Sequence, residues 1–231
     1  MSAPEAYVAW INQHLGFNPR SHANSNALSE FVIADLRRSC PPLASYLKVE
    51  QIATILNADV HTRVASRNVD LVFLESDSST VRIAVENKTI MTAHGKARWN
   101  RYGDLIAYSN HVHNHRPDCI AAAIVVINCS PAYENPDGFA KGLRRPKFDM
   151  NKVVRDTVKI FADIPLRTST DEPNDQPEAL AVIVVDYNGK HPAKLITNEL
   201  SPQPASAIHY ESFIARICGL YRDRFEPSRS R

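Results

Sequence analysis

The amino-acid sequence predicts an α/β fold in which a mixed central β-sheet is flanked by helices. Helical and strand periods alternate along the chain, and two nearly continuous apolar runs in its second half are typical of strands covered on both faces. A chain of 231 residues, 44% of them hydrophobic, can also bury a sizeable core. We expect one domain over residues 1–231, with N-terminal helices over about 1–60, a core over about 61–190 and a C-terminal helix over about 205–225.

The N-terminal part contains three segments with a helical pattern. Residues 4–15 read as an amphipathic helix, and residues 27–38 carry apolar side chains at helical spacing. Pro41 and Pro42 are expected to end the second helix, because proline lacks the amide hydrogen that a helix needs. Residues 44–57 predict a third helix, with leucine and isoleucine side chains on one side.

The period then changes to that of strands. Residues 69–74 are rich in β-branched and aromatic side chains, and residues 81–88 alternate between apolar and polar positions. The serine-rich segment 76–79 between them has the composition of a turn. We therefore expect an antiparallel hairpin over residues 70–88.

The rest of the chain follows the same two periods. The pattern predicts helices over residues 95–110, 150–162 and 208–224, and buried strands over 119–129 and 180–187. Residues 130–149 and the acidic segment 168–178 read as loops inserted on this core, and the second is expected to be mobile.

Composition excludes several functional classes. No apolar run reaches the roughly 18–20 residues needed to cross a membrane, and the N-terminus lacks the pattern of a secretion signal, so we expect a cytoplasmic protein. The four cysteines form no CxxC pair, which argues against a zinc ribbon. The net charge of +2 neither demands nor forbids a nucleic acid as partner. Neither a GxxxxGK[ST] phosphate loop nor an HExxH or GxSxG motif is present.

Three polar residues of the predicted hairpin form the candidate site. Side chains alternate between the two faces of a strand, so Glu86 and Lys88 share a face, and pairing of the two strands brings Asp70 near them. Two carboxylates at such a separation repel each other unless a divalent cation lies between them. Hard oxygen ligands suit Mg²⁺, and a neighbouring lysine can orient a water molecule and stabilise negative charge. The alternative interpretation is a solvated salt pair between Glu86 and Lys88.

Asp70 followed by Glu86-Asn87-Lys88 resembles the PD-(D/E)xK motif of type II restriction endonucleases and related DNA-processing enzymes. The order of elements is similar to that family over roughly residues 25–190, although Val69 stands where the family often has proline. The resemblance implies a restriction-endonuclease-like core, Asp70 and Glu86 as metal ligands and Lys88 as the catalytic lysine. Many members add an acid from the preceding helix, and Glu30 matches that role best.

The function that this resemblance implies is a magnesium-dependent endodeoxyribonuclease, in which Mn²⁺ can substitute for Mg²⁺. The expected substrate is double-stranded DNA, cut at a specific sequence by a homodimer, since two antiparallel strands favour a two-fold axis. A repair, phage-defence or structure-specific nuclease of the same fold is an alternative. A second alternative is a nucleic-acid-binding protein that does not cut.

Two basic segments are candidates for DNA contacts. They contribute the residues Lys96, Arg98, Arg101, Arg144, Arg145 and Lys147. In the first segment, aromatic side chains among the cations can pack against a sugar or base, or else Trp99 and Tyr102 belong to the core and the cations form a solvated helix face. In the loop segment, arginines can read guanine edges or simply attract phosphates. The alternating histidines at 111, 113 and 115 are poor candidates for zinc ligands, because no nearby thiolate pair completes the site.

Overall fold

The computed structural model describes residues 1–17, 21–40, 43, 52–61, 66–75, 80–131 and 149–226. The helices are α1 (Ala3–Gln13), α2 (His22–Ser39), α3 (His94–His115), α4 (Met150–Ala162) and α5 (Tyr210–Phe225). The strands are β1 (Ile52–His61), β2 (Ser66–Glu75), β3 (Val81–Ile90), β4 (Ile120–Asn128), β5 (Ala179–Asp186) and β6 (Lys194–Ile196).

A single mixed sheet organises these elements. Its six strands lie in the order in which they occur in the chain. The strands β1, β2 and β3 are antiparallel neighbours, β3, β4 and β5 are parallel, and β6 returns antiparallel to β5. Parallel neighbours need a crossover, and here α3 connects β3 to β4 while α4 connects β4 to β5. The prediction of a mixed sheet flanked by helices is thereby confirmed.

Helices cover both faces of the sheet. On one face, α1, α2 and α5 enclose the largest apolar cluster together with side chains of the central strands. On the other face, α3 and α4 enclose two further clusters. All nine residues of β4 are buried, which explains why this strand reads as a continuous apolar run.

The helix α2 begins five residues before the predicted start at residue 27, because Ser21 caps it. The Ser21 side chain accepts a hydrogen bond from the Asn24 amide and so satisfies a donor that the first helical turn leaves unpaired. Asp149 caps α4 in the same way by accepting from the Lys152 amide. The hydroxyl and carboxylate caps are thus the local reason why these helices start where they do.

The predicted helix over residues 44–57 is wrong where the structure describes it. Residues 52–57 belong to β1, which pairs antiparallel with β2, for example Ile55 with Val72. The apolar spacing in this short segment fits either period, and the edge of β2 supplies backbone partners that a helix there would leave unused. The short strand β6 was not predicted. The serine-rich turn 76–79 and most of the loop 130–149 lie outside the described residues.

Within the described part of the chain, no helix combines the length and the apolar character needed to span a lipid bilayer.

Candidate active site

The hairpin of β2 and β3 places the candidate residues side by side. Leu71 pairs with Val85, and Asp70 and Glu86 are the next residues along the two strands. The register shifts once, beyond Phe73, well away from this end of the hairpin. The hairpin predicted for residues 70–88 is therefore confirmed, and it brings Asp70 to the strand that carries Glu86 and Lys88.

Both carboxylate oxygens of Asp70 are held by hydrogen bonds. The Ser25 hydroxyl of α2 donates to Oδ1 at 2.6 Å, and the Asn87 amide of β3 donates to Oδ2 at 2.7 Å. Donors of this kind fix the orientation of a carboxylate. Each oxygen retains acceptor capacity for a further partner, because a carboxylate oxygen offers two lone pairs.

Glu86 and Lys88 lie next to each other on β3. The Lys88 ammonium contacts the Glu86 carboxylate at Oε1. The Glu86 side chain is only 4% exposed, whereas the Lys88 side chain is 20% exposed. The salt pair of the alternative interpretation is thus present, but its Glu86 side chain is buried and not solvated.

Asn87 lies between them and points to the opposite side of β3. Its amide nitrogen donates to the Ser29 hydroxyl at 2.8 Å and to the Ser25 carbonyl at 3.4 Å. Its buried amide oxygen has no hydrogen-bond partner among the described residues. The side chain of Asn87 therefore joins β3 to α2. Its backbone amide joins β3 to the Asp70 carboxylate.

Two serines of α2, Ser25 and Ser29, contact the site strands. Glu30, on the same helix, is exposed to solvent. Ser25 and Ser29 are four residues apart and share one face of the helix, while Glu30 lies about 100° further around it than Ser29. The role of Glu30 in the site stays a prediction. Sequence reasoning missed Ser25, Ser29 and Asn87, although the serine spacing on a helix that precedes the hairpin was a usable signal.

The turn that leads from β3 into α3 is anchored by a buried histidine. His94 places Nε2 2.6 Å from the carbonyl oxygen of Asn128 at the end of β4. Burial lowers the pKa of His94, the hydrogen bond to the Asn128 carbonyl partly opposes this, and the nearby Arg98 guanidinium lowers the pKa further. The Asn128 side chain in turn exchanges two hydrogen bonds with the backbone of Tyr187, beyond β5. This network holds together the ends of three parallel strands.

One of the predicted basic residues of α3, Arg101, contacts the site strand. Arg101 donates to the carbonyl oxygen of Thr89 at 3.4 Å, one residue beyond Lys88. Lys96 is exposed, and Arg98 lies with its guanidinium carbon 5.8 Å from the centre of the Trp99 ring. The loop candidates Arg144, Arg145 and Lys147 lie outside the described residues.

The two aromatic residues of this helix differ in environment. Tyr102 is partly buried and packs against the apolar cluster that contains Ile90. Trp99 is 55% exposed, so the interpretation of Trp99 as a core residue is wrong.

The donor set fits magnesium better than zinc. Within the described residues, no group of three histidine, cysteine, aspartate or glutamate side chains could hold a metal ion. Mg²⁺ does not require such a group, because it keeps several waters and binds through one or two carboxylates plus phosphate oxygens. Asp70 and Glu86 are suited to that role. The histidines 111, 113 and 115 lie within α3, where His113 is buried against Glu178.

Comparison with protein-family models, curated proteins and solved structures found no match to this chain.

Proposed function

We propose that this protein is a magnesium-dependent endodeoxyribonuclease with a restriction-endonuclease-like core. One observation carries the proposal: Asp70 on β2 adjoins the Glu86-Asn87-Lys88 segment of β3, beside a helical crossover to a parallel strand. This is the arrangement that the PD-(D/E)xK resemblance implies. The buried Glu86 and the two hydrogen bonds that orient Asp70 support it, because an ordinary surface salt pair needs neither.

Asp70 and Glu86 are the residues that would hold Mg²⁺, or Mn²⁺ in its place. The cation would make a bound water more acidic and offset the negative charge that develops on the phosphate. Ser25 and the Asn87 amide would keep the Asp70 carboxylate in one orientation. Such supporting hydrogen bonds typically change metal affinity or activity by about 10- to 100-fold.

Lys88 would act on the attacking water and on the phosphate. Its side chain is partly exposed and its ammonium group contacts the Glu86 carboxylate, so it would meet a substrate while staying beside Glu86. The water oxygen forms a new bond to phosphorus, the bond to the leaving sugar oxygen breaks, and that oxygen takes up a proton. A fixed ammonium group beside the phosphate lowers the barrier, because the negative charge near it increases in the transition state.

The test is cleavage of unmodified phage DNA by purified protein, with Mg²⁺ and with EDTA, resolved on a gel. We expect fragments with Mg²⁺, none with EDTA, and none from Glu86→Gln, which retains the shape of the side chain and removes its charge. The matched control is Glu211→Gln, an exposed glutamate at the start of α5. Failure to cut duplex, single-stranded and branched DNA would overturn the proposal.

The digestion pattern separates the forms of this function. Discrete fragments support a type II restriction enzyme that cuts a specific duplex sequence, as the resemblance implies. Cutting only where a substrate is branched or unpaired supports a structure-specific, repair or phage-defence nuclease, and the exposed aromatic residue of α3 favours that second form. The homodimer stays a prediction, which sedimentation of the protein with and without DNA would check.

A further inference from the structure

The first turns of α3 present an indole ring to solvent among cations. Trp99 is 55% exposed, and only two other large hydrophobic residues in the described part of the chain, Met1 and Leu15, are exposed. Lys96 is exposed one turn before Trp99, and the Arg98 guanidinium lies 5.8 Å from the ring centre. An indole face can stack on a planar apolar group while the neighbouring cations attract negative charge, so this position suits a partner that offers both.

The indole rests on a firm support. Tyr102 meets the Trp99 ring edge-on, with centroids 6.1 Å apart, and itself packs against the cluster containing Ile90 and Leu105. A ring held in this way loses little conformational entropy when a planar ligand stacks on it. We call Lys96, Arg98, Trp99 and Tyr102 the α3 surface.

The helix that carries the α3 surface packs beside β3, the strand of Glu86 and Lys88. Arg101, on the same helical segment, donates to the Thr89 carbonyl, one residue beyond Lys88 on β3. Ile90, at the end of β3, belongs to the cluster against which Tyr102 packs. The α3 surface and the candidate site are therefore carried by neighbouring elements of the fold.

A single-stranded segment of DNA fits this surface better than a duplex does. In a duplex each base is covered above and below by its neighbours, so an indole face gains no base to stack on. Unpaired bases expose their faces, and stacking on an aromatic side chain tolerates any sequence. Phosphates satisfy the cations in both forms, so the cations alone favour neither form.

We infer that the α3 surface binds unpaired nucleotides through stacking on Trp99, and that the substrate of the proposed nuclease is DNA carrying a single-stranded segment. The second half of this inference rests on the proposed function, whereas the first half concerns binding alone. The experiment therefore measures binding without cleavage.

The experiment is fluorescence anisotropy in EDTA, with a mixed-sequence single-stranded 20-mer and the corresponding blunt duplex as probes. We expect the single strand to bind more tightly, and Trp99→Ala to weaken that binding by about tenfold while changing duplex binding by less than about twofold. Trp99→Phe should retain most of the affinity, because phenylalanine still offers a ring. Leu15→Ala is the matched control, an exposed apolar residue away from α3 that should change nothing.

Folding is not at risk in this test, because Trp99 is largely exposed, and a thermal melt of each variant checks it. Equal affinity for the two probes, or equal loss for both on Trp99→Ala, would overturn the inference. Magnesium-dependent cleavage with no effect of Trp99→Ala on binding overturns the inference and leaves the nuclease intact. Trp99-dependent binding without any cleavage supports the surface and overturns the proposed enzyme.

Discussion

Two clusters of charged residues in this protein are built in opposite ways. At the candidate site, Asp70 accepts from a helix hydroxyl and a strand amide, and the Lys88 side chain is partly exposed to solvent. The second cluster, the Glu178 cluster, lies at the start of β5 and joins Glu178 to His113, Arg167 and Arg224. The side chains of Glu178, His113 and Arg167 are all 0% exposed.

The Glu178 carboxylate is saturated by protein donors. Oε2 lies 2.8 Å from His113 Nε2 and accepts from the Ala121 amide at 2.8 Å. Oε1 accepts from Arg224 at 2.9 Å and from Arg167 at 3.4 Å. Arg167 also donates to backbone carbonyls of the segment after it, including that of Glu172. The acidic segment 168–178, predicted to be a mobile loop, is thus anchored at its base by a buried arginine.

The comparison teaches that burial of charge has two purposes here. Four protein donors around Glu178 compensate its desolvation internally, so this cluster joins elements of the fold and has little capacity for a ligand. Asp70 keeps acceptor capacity on oriented oxygens, and Lys88 keeps access to solvent, which suits groups that meet a cation and a phosphate. The predictions below test this contrast, from the largest expected effect to the smallest.

Removing the Glu178 carboxylate should have the largest effect, and it should be on stability. Glu178→Ala leaves the buried Arg167 without its carboxylate, and breaking a buried pair in this way costs about 3–5 kcal/mol. Urea unfolding should show a lower midpoint with an unchanged slope. The control Glu211→Ala, at an exposed position of α5, should stay within about 0.5 kcal/mol of the parent. A loss below 1 kcal/mol for Glu178→Ala would contradict a structural role.

Removing Lys88 should mainly affect activity. We expect Lys88→Ala to lower the rate of DNA cleavage by about 10²- to 10³-fold, as the loss of one group that stabilises developing charge does in other enzymes. Its free energy of unfolding should fall by less than that of Glu178→Ala, because the Lys88 side chain is 20% exposed. Lys194→Ala, an exposed lysine of β6, is the matched control. An unchanged cleavage rate for Lys88→Ala would break the proposed mechanism.

Removing the hydroxyl that orients Asp70 should weaken metal binding, with an effect smaller than that of Lys88→Ala and larger than that of His94. Ser25→Ala removes a 2.6 Å hydrogen bond to Oδ1 and should raise the Mg²⁺ concentration for half-maximal cleavage by about tenfold. The maximal rate at saturating Mg²⁺ should change less than this. Ser25→Thr restores a hydroxyl and should recover most of the affinity. If alanine and threonine behave alike, the contact with Asp70 does not support the metal site.

The smallest expected effect is a loss of folding stability at acidic pH, and it depends on His94. Burial lowers the pKa of His94 in the folded protein, whereas the unfolded chain binds a proton at its usual value of about 6.5. The unfolded state therefore binds more protons below about pH 6.5, so the stability that neutral His94 contributes is complete above that pH and is lost as the pH falls.

The loss is at most about 1.4 kcal/mol for each pH unit, down to the folded-state pKa. Unfolding curves from pH 8 to pH 5 should fall more steeply for the parent than for His94→Gln. Parallel curves would show that this ring does not resist protonation in the folded state.

The comparison also shows how far sequence reasoning reaches. The hairpin was predictable because a run rich in β-branched and aromatic residues and a run of alternating apolar and polar residues flank a serine-rich turn. Glu86 and Lys88 were predictable as neighbours, because positions two apart in a strand share a face. The Glu178 cluster was not predictable, because its members come from α3, from the segment before β5, from β5's start and from α5, and they meet only in the folded chain.

The sequence by itself determined most of the local periods: which segments alternate and which are continuously apolar. Only the tertiary structure decided between strand and helix for β1, because its apolar spacing fits both and the free edge of β2 selected one. The tertiary structure also exposed Trp99 and directed Ser25 toward Asp70. Local sequence fixes the backbone period of a segment, whereas the face that is buried depends on the elements that pack against it.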